Sequence, residues 1–112
     1  TAQMLGRYQP WHKGHKKLFE EIIKKTGQVV IMVRDNSRTD DNPFSFQHIE
    51  EKIREDLSEY GDRAKIILVP NITDICYGRD VGYNVGKIEL DPETQKISAG
   101  QLRERMRNKG EL

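Results

Sequence analysis

Cysteine is nearly missing from this sequence, Cys76 being the one such residue in 112. An internal disulfide is therefore excluded, a thiolate-rich zinc site has too few ligands, and a reducing, cytoplasmic setting is predicted. Long hydrophobic runs are absent as well. No stretch approaches the ~20 apolar residues of a membrane-spanning helix, so neither a span nor a secretory segment is expected. Charge of one sign is also lacking, since the net charge is +1. Such a balance does not predict a long nucleic acid as partner. The length suits one compact core and leaves no room for a second, so residues 1–112 read as a single domain.

What charge there is lies unevenly. Residues 1–25 carry +4 and residues 96–112 carry +3, which leaves −6 for the middle. If the two ends meet in space they form one basic site suited to a polyphosphate; if they do not, they are two solvated basic faces. Apolar runs at 2–6 (AQMLG), 28–34 (QVVIMVR) and 64–70 (AKIILVP) have the continuous character of parallel strands covered on both faces. Between them, Leu18, Phe19, Ile22 and Ile23 form one helical stripe that stops at Gly27, and Phe46, Ile49, Ile53 and Leu57 form another between Ser45 and Gly61. This β-α-β-α-β order predicts an α/β fold, a Rossmann-like doubly wound parallel sheet in three layers. Beyond it, VGKIEL (85–90) reads as a fourth strand or hairpin arm, DPETQ as a turn, and Ser98 with Gln101 as a capping box opening a last helix. The polar segment RDNSRTDDNP (34–43) is the expected mobile loop.

Two of only three histidines stand in GRYQPWHKGH, residues 6–15. The stretch follows the first strand and opens the first helix, so it belongs at the carboxyl edge of the sheet, where open α/β folds bind ligands. Unpaired N–H groups and the positive end of the helix dipole would attract an anion there, Gly14 would let a phosphate approach without a Cβ in the way, and the imidazoles could donate to phosphate oxygens. The same pair also reads as half of a metal site or as ordinary surface histidines.

GRYQPWHKGH resembles the HxGH signature of the nucleotidylyltransferase superfamily, with its cytidylyltransferase-like domain, and the G-R-aromatic-Q-P-x-H-x-G-H form is most like the archaeal-type nicotinamide mononucleotide adenylyltransferases. NPF at 42–44, VPNITDI at 69–75 and ISAGQLRERM at 97–106 resemble further segments of that group in the same order. The resemblance implies one nucleotidylyltransferase domain that transfers NMP from an NTP, ATP by preference, to a small phosphorylated acceptor with release of pyrophosphate. It implies catalytic roles for His12, His15 and Arg103, the histidines and Arg103 acting on phosphate oxygens. Gly6, Arg7, Tyr8, Lys13 and Gly14, with Ser98 and Ala99 at the last helix start, would bind the nucleotide, and Mg2+ would accompany the triphosphate with no dedicated protein metal site. Arg79, Asp80 and Tyr83 in YGRDVGY would face the acceptor, although Arg79 and Asp80 read equally as a structural ion pair. Gln9 stands where the cytidylyltransferase branch usually has an acidic residue, which tilts the reading toward ATP. A cytidylyltransferase using CTP and a non-catalytic nucleotide-binding regulatory domain remain the alternatives, and assembly into a homo-oligomer is left open.

Overall fold

A computed structural model describes residues 1–79 and 82–110. Its centre is a three-stranded parallel sheet in the order β1 (Ala2–Gly6), β2 (Val29–Arg34), β3 (Ala64–Val69). Helix α1 (Lys13–Thr26) connects the first two strands and α2 (Phe46–Asp56) the next two, followed by a 3-10 segment at Ser58–Arg63. The α/β, Rossmann-like architecture expected from the alternation of apolar runs and helical stripes is thus present. Each helix begins and ends for a local reason. Ser45 caps α2 by accepting from the His48 N–H, and α1 stops where Gly27 turns left-handed at φ 78°. The second helix ends at Asp56, short of the expected Gly61, because the chain tightens into the 3-10 segment there.

The two sheet faces are unequally covered. Met4, Ile31 and Ile66 occupy one register row and are buried, as are Val29 and Val33 beside them. Phe19 and Ile23 of α1 and Ile49 and Ile53 of α2 join the same core cluster, each such side chain contributing about 1.5–3 kcal/mol by leaving water. On the alternate positions Val30 and Met32 are half-buried and Ile67 is exposed. The continuous apolar runs suggested equal cover on both faces; the burial instead alternates, because α1 and α2 pack onto one of them.

After β3, residues 70–79 and 82–90 have no regular structure, so VGKIEL forms neither a strand nor a hairpin arm. The DPETQ segment, expected as a turn, winds into the short helix α3 (Pro92–Gln95). Asp91 accepts from both the N–H and the hydroxyl of Thr94, and Pro92 occupies the first turn, where its missing N–H costs nothing. The last helix, α4, runs Ala99–Asn108 from the predicted cap Ser98.

Candidate functional site

The histidines of HKGH make their own helix start. His12 is the N-cap of α1 with extended backbone, and its Nδ1 accepts from the Gly14 N–H at 3.0 Å. His15 reaches back, its Nδ1 accepting from the His12 N–H at 3.1 Å. H-x-x-H has the spacing of a Ser-x-x-Glu capping box, and two imidazoles here take the parts of hydroxyl and carboxylate. The sequence suggested free N–H groups at this helix end; the Gly14 N–H is already satisfied by His12.

The cap fixes the chemistry of both rings. A ring nitrogen that accepts from an N–H carries no proton, so the neutral imidazoles hold their proton on Nε2. Neutrality follows from the surroundings. Burial lowers the His12 pKa, while burial and then the nearby His12 charge push His15 down to about 3. The rings stack with centroids 3.7 Å apart and planes 22° apart. The result is a pair of adjacent Nε2–H donors, neither of which pays for a buried positive charge.

Aromatic side chains hold this pair. Trp11 stacks on His15 with centroids 5.3 Å apart, and Tyr8 meets His15 edge-on at 4.8 Å. The Trp11 Nε1–H donates to Asp56 Oδ2 at 2.7 Å, and Asp56 Oδ1 pairs with Lys16 Nζ at 3.3 Å, which raises the Lys16 pKa. Tyr8, suggested as a nucleotide contact, is buried at 4% exposure, and burial raises its hydroxyl pKa. It adopts φ 51°, a conformation costly for a bulky residue, and its ring fills the space over Gly6, where a Cβ would lie 2.9 Å from Tyr8 Cζ. Gly6 and Tyr8 therefore support the histidines from below. Gly14 has a similar explanation: a Cβ there would come 2.8 Å from His12 Cε1, so the room expected for a phosphate is occupied by the imidazole.

The C-terminal helix start does meet the first. That same Cβ position on Gly14 lies 3.7 Å from the Ile97 Cβ, one residue before Ser98. Ser98 Oγ accepts from the Gln101 N–H at 3.4 Å, the forward half of the expected box, and half-buried Ala99 is the first residue of α4. Arg103, at 7% exposure, donates from Nη1 to the Gln9 carbonyl at 2.6 Å, with Nη2 3.7 Å from Asp41 Oδ1. Its guanidinium, suggested to reach phosphate oxygens, joins α4 to the GRYQP loop through Nη1. Lys13 is exposed and, with Trp11, His12, Lys52, Glu55 and Asp56, borders a shallow cleft of ≈ 390 Å³.

Residues 39–44 are tied down as well. Gln9 Nε2 donates to the Phe44 carbonyl at 3.0 Å while Gln9 Oε1 accepts from the Phe44 N–H at 2.9 Å. Arg7 Nη1 donates to Asn42 Oδ1 at 3.3 Å, Asn42 bonds Thr39, and Arg107 donates to the Asp40 carbonyl. The expected mobile loop is thus anchored through its second half. Gln9 is buried, and both its amide nitrogen and its amide oxygen are engaged by Phe44, so the side chain serves to join the two loops.

Of the suggested acceptor residues, Arg79 and Tyr83 are exposed on irregular backbone and make no hydrogen bond or ion pair among the described residues, and Asp80 lies outside them. Sequence reasoning did not single out Asp56 for this edge. Asp56 lies 45 residues from Trp11 and shares no motif with it. Among the described residues no cluster of three or more His, Cys, Asp or Glu could hold a metal ion, and no helix is long and apolar enough to cross a membrane.

A parallel sheet alternating with helices, two of whose starts meet at its carboxyl edge and one of which is capped by a neutral histidine pair, defines a Rossmann-like α/β domain. The chain belongs to the cytidylyltransferase-like family, which it matches over residues 4–67. It is similar to the nicotinamide-nucleotide adenylyltransferase of Saccharolobus solfataricus, 32% identical over 58% of this chain and 40% of that protein. The nicotinamide-nucleotide adenylyltransferase of Pyrococcus abyssi is 34% identical over 59% of this chain and 37% of its own length. An uncharacterized protein of Archaeoglobus fulgidus is 32% identical over 86% of this chain and 55% of its own. The aligned part of the chain thus spans about half or less of these relatives' lengths.

Proposed function

We propose that the chain transfers NMP from an NTP, ATP by preference, to a small phosphorylated acceptor and releases pyrophosphate. The observation that carries this reading is the reciprocal His12–His15 cap, which leaves two neutral Nε2–H donors beside the α4 start. Donors of this kind stabilise oxygens as charge builds on them in a transition state, and being held by the backbone they need no reorganisation. An acceptor phosphate oxygen forms the new bond to the α-phosphorus, the α–β bridging bond breaks, and pyrophosphate leaves with that electron pair. No protein nucleophile and no redox partner are required. Lys13 and Arg7 would neutralise triphosphate charge, and Ser98 with the Ala99 backbone would face the phosphates beyond the α-phosphorus. Magnesium enters this reading on the triphosphate oxygens, where it offsets their charge, and no residue of the chain is assigned to it.

The preference for ATP rests on the relatives named adenylyltransferases, and nicotinamide mononucleotide is for the same reason the first acceptor to try. The family description supports CTP as the second base. A pyrophosphate-release screen of the four NTPs against nicotinamide mononucleotide, phosphopantetheine, glycerol 3-phosphate and phosphocholine tests the reading. Release that needs both partners is expected; nucleotide binding with no release for any pair would make the domain a nucleotide-binding regulator.

A further inference from the structure

Arg34 ends β2 at the carboxyl edge, in register with Val69 at the end of β3. One residue earlier Val33 pairs with Gly6, the last residue of β1, so Arg34 lies one strand over, about 4.8 Å across the ladder, from the chain entering GRYQP. Its guanidinium is held entirely by neutral groups. Nε and Nη2 both donate to Asn71 Oδ1, at 3.1 and 2.8 Å, and Asn36 Nδ2 donates to the same oxygen at 3.2 Å. No carboxylate pairs with Arg34, and its Nη1 makes no hydrogen bond, among the described residues. Three donors converge on one amide oxygen that has two lone pairs. Meanwhile the other amide oxygen, Asn36 Oδ1, is buried and has no hydrogen-bond partner.

These features have one complement. An uncompensated guanidinium with free N–H groups suits a phosphate, and beside it a buried oxygen in want of a donor suits a hydroxyl or amide N–H. Asparagine in place of an acid at position 71 leaves the positive charge available, where a carboxylate would have neutralised it. We propose that Arg34, oriented by Asn71 and Asn36, binds the phosphomonoester of the acceptor, and that the acceptor carries a hydroxyl or amide donor next to that phosphate, as a sugar phosphate does. The assignment rests on the transferase reading above and moves the acceptor site from Arg79 to the ends of β2 and β3. Arg34 is a binding residue in this scheme: it holds the attacking phosphate while His12 and His15 act on the triphosphate.

The test uses the intact chain and two probes, ribose 5-phosphate for the acceptor site and a non-hydrolysable ATP analogue with Mg2+ for the nucleotide site, each followed by NMR of arginine Nε–H and histidine ring signals. Ribose 5-phosphate is expected to shift the Arg34 signal saturably, and Arg34→Gln to weaken its binding about tenfold or more. Arg34→Lys, which keeps the charge but not the fork, should fall between wild type and Arg34→Gln and guards against a misfolded Arg34→Gln. Methyl phosphate should bind more weakly than ribose 5-phosphate. An Arg34 signal that ignores ribose 5-phosphate, or that moves only with the ATP analogue, overturns the assignment while leaving the transferase reading intact. Histidine signals that ignore the analogue would instead defeat the nucleotide site, whatever Arg34 does.

Discussion

Gln9 and Phe44 exchange two hydrogen bonds, side-chain amide to backbone, at 3.0 and 2.9 Å, as two residues facing each other in a β-ladder would. The pairing joins the GRYQP loop to NPF across 35 residues, in a place where Gln9 is buried. Replacing Gln9 by Glu puts a carboxylate oxygen against the Phe44 carbonyl and is expected to cost about 1–3 kcal/mol in urea unfolding. Preference between ATP and CTP should not change. A Gln9→Glu protein of full stability that had switched its base would show that the residue reads the nucleotide after all.

The capping bond of His15 and the catalytic role proposed for it can be separated by substitution. Asparagine keeps an oxygen where Nδ1 sits, so His15→Asn retains an acceptor for the His12 N–H and loses only the Nε2–H donor; alanine loses both. Both variants are expected to lower turnover by about a hundredfold or more, with a much smaller change in NTP affinity. Alanine alone should also lower the melting temperature. Near-normal turnover in His15→Asn would leave the ring with a capping role only.

Acid should loosen the fold through the same residue. An unfolded histidine titrates near 6.5, whereas folded His15 is held to about 3, so on acidification the unfolded chain takes up the proton first. The stabilising contribution is complete above pH 6.5 and is lost as pH falls toward 3, at about 1 kcal/mol per unit between pH 6 and 5. Urea midpoints at pH 7.5, 6 and 5 should therefore decline more steeply for wild type than for His15→Asn. Parallel declines would remove His15 as the cause.

Asp56 is expected to matter to the site without touching substrate. Its carboxylate holds the Trp11 indole N–H and Lys16 together, and Asp56→Ala should cost about 1.5–3 kcal/mol and shift Trp11 fluorescence. A double-mutant cycle with Trp11→Phe is expected to show coupling. Additivity within about 0.5 kcal/mol would mean that the two residues stabilise the fold independently.

How much of this was legible depended on distance along the chain. The strand at 2–6 and the stripe Leu18, Phe19, Ile22, Ile23 were readable because periodicity is local, as was Gly27 as the stop. HKGH could be placed at the sheet edge from element order alone. Its capping role was also within reach, since an i, i+3 pair at a helix start is a sequence signal, but histidine is not the residue usually sought there. By contrast, nothing near Gln9 announces Phe44, and nothing near Arg34 announces Asn71, 37 residues on. VGKIEL has strand composition, yet a strand exists only through a partner, and none pairs with it among the described residues. Gly14 shows a subtler limit: the need for a small residue was foreseen, whereas its cause, the His12 ring, required coordinates.

Because the rings proposed to act on the triphosphate also close the first turn of α1, that turn cannot fray without dispersing them. Helix ends ordinarily open and close at little cost, and a catalytic group placed on one would spend part of its time out of position. Here each opening would have to break two imidazole–backbone bonds and unstack Trp11 from His15. Amide exchange at His12 and Gly14 should accordingly be slow for a helix terminus, and its rate would be a direct readout of how long the site stays assembled before any ligand arrives.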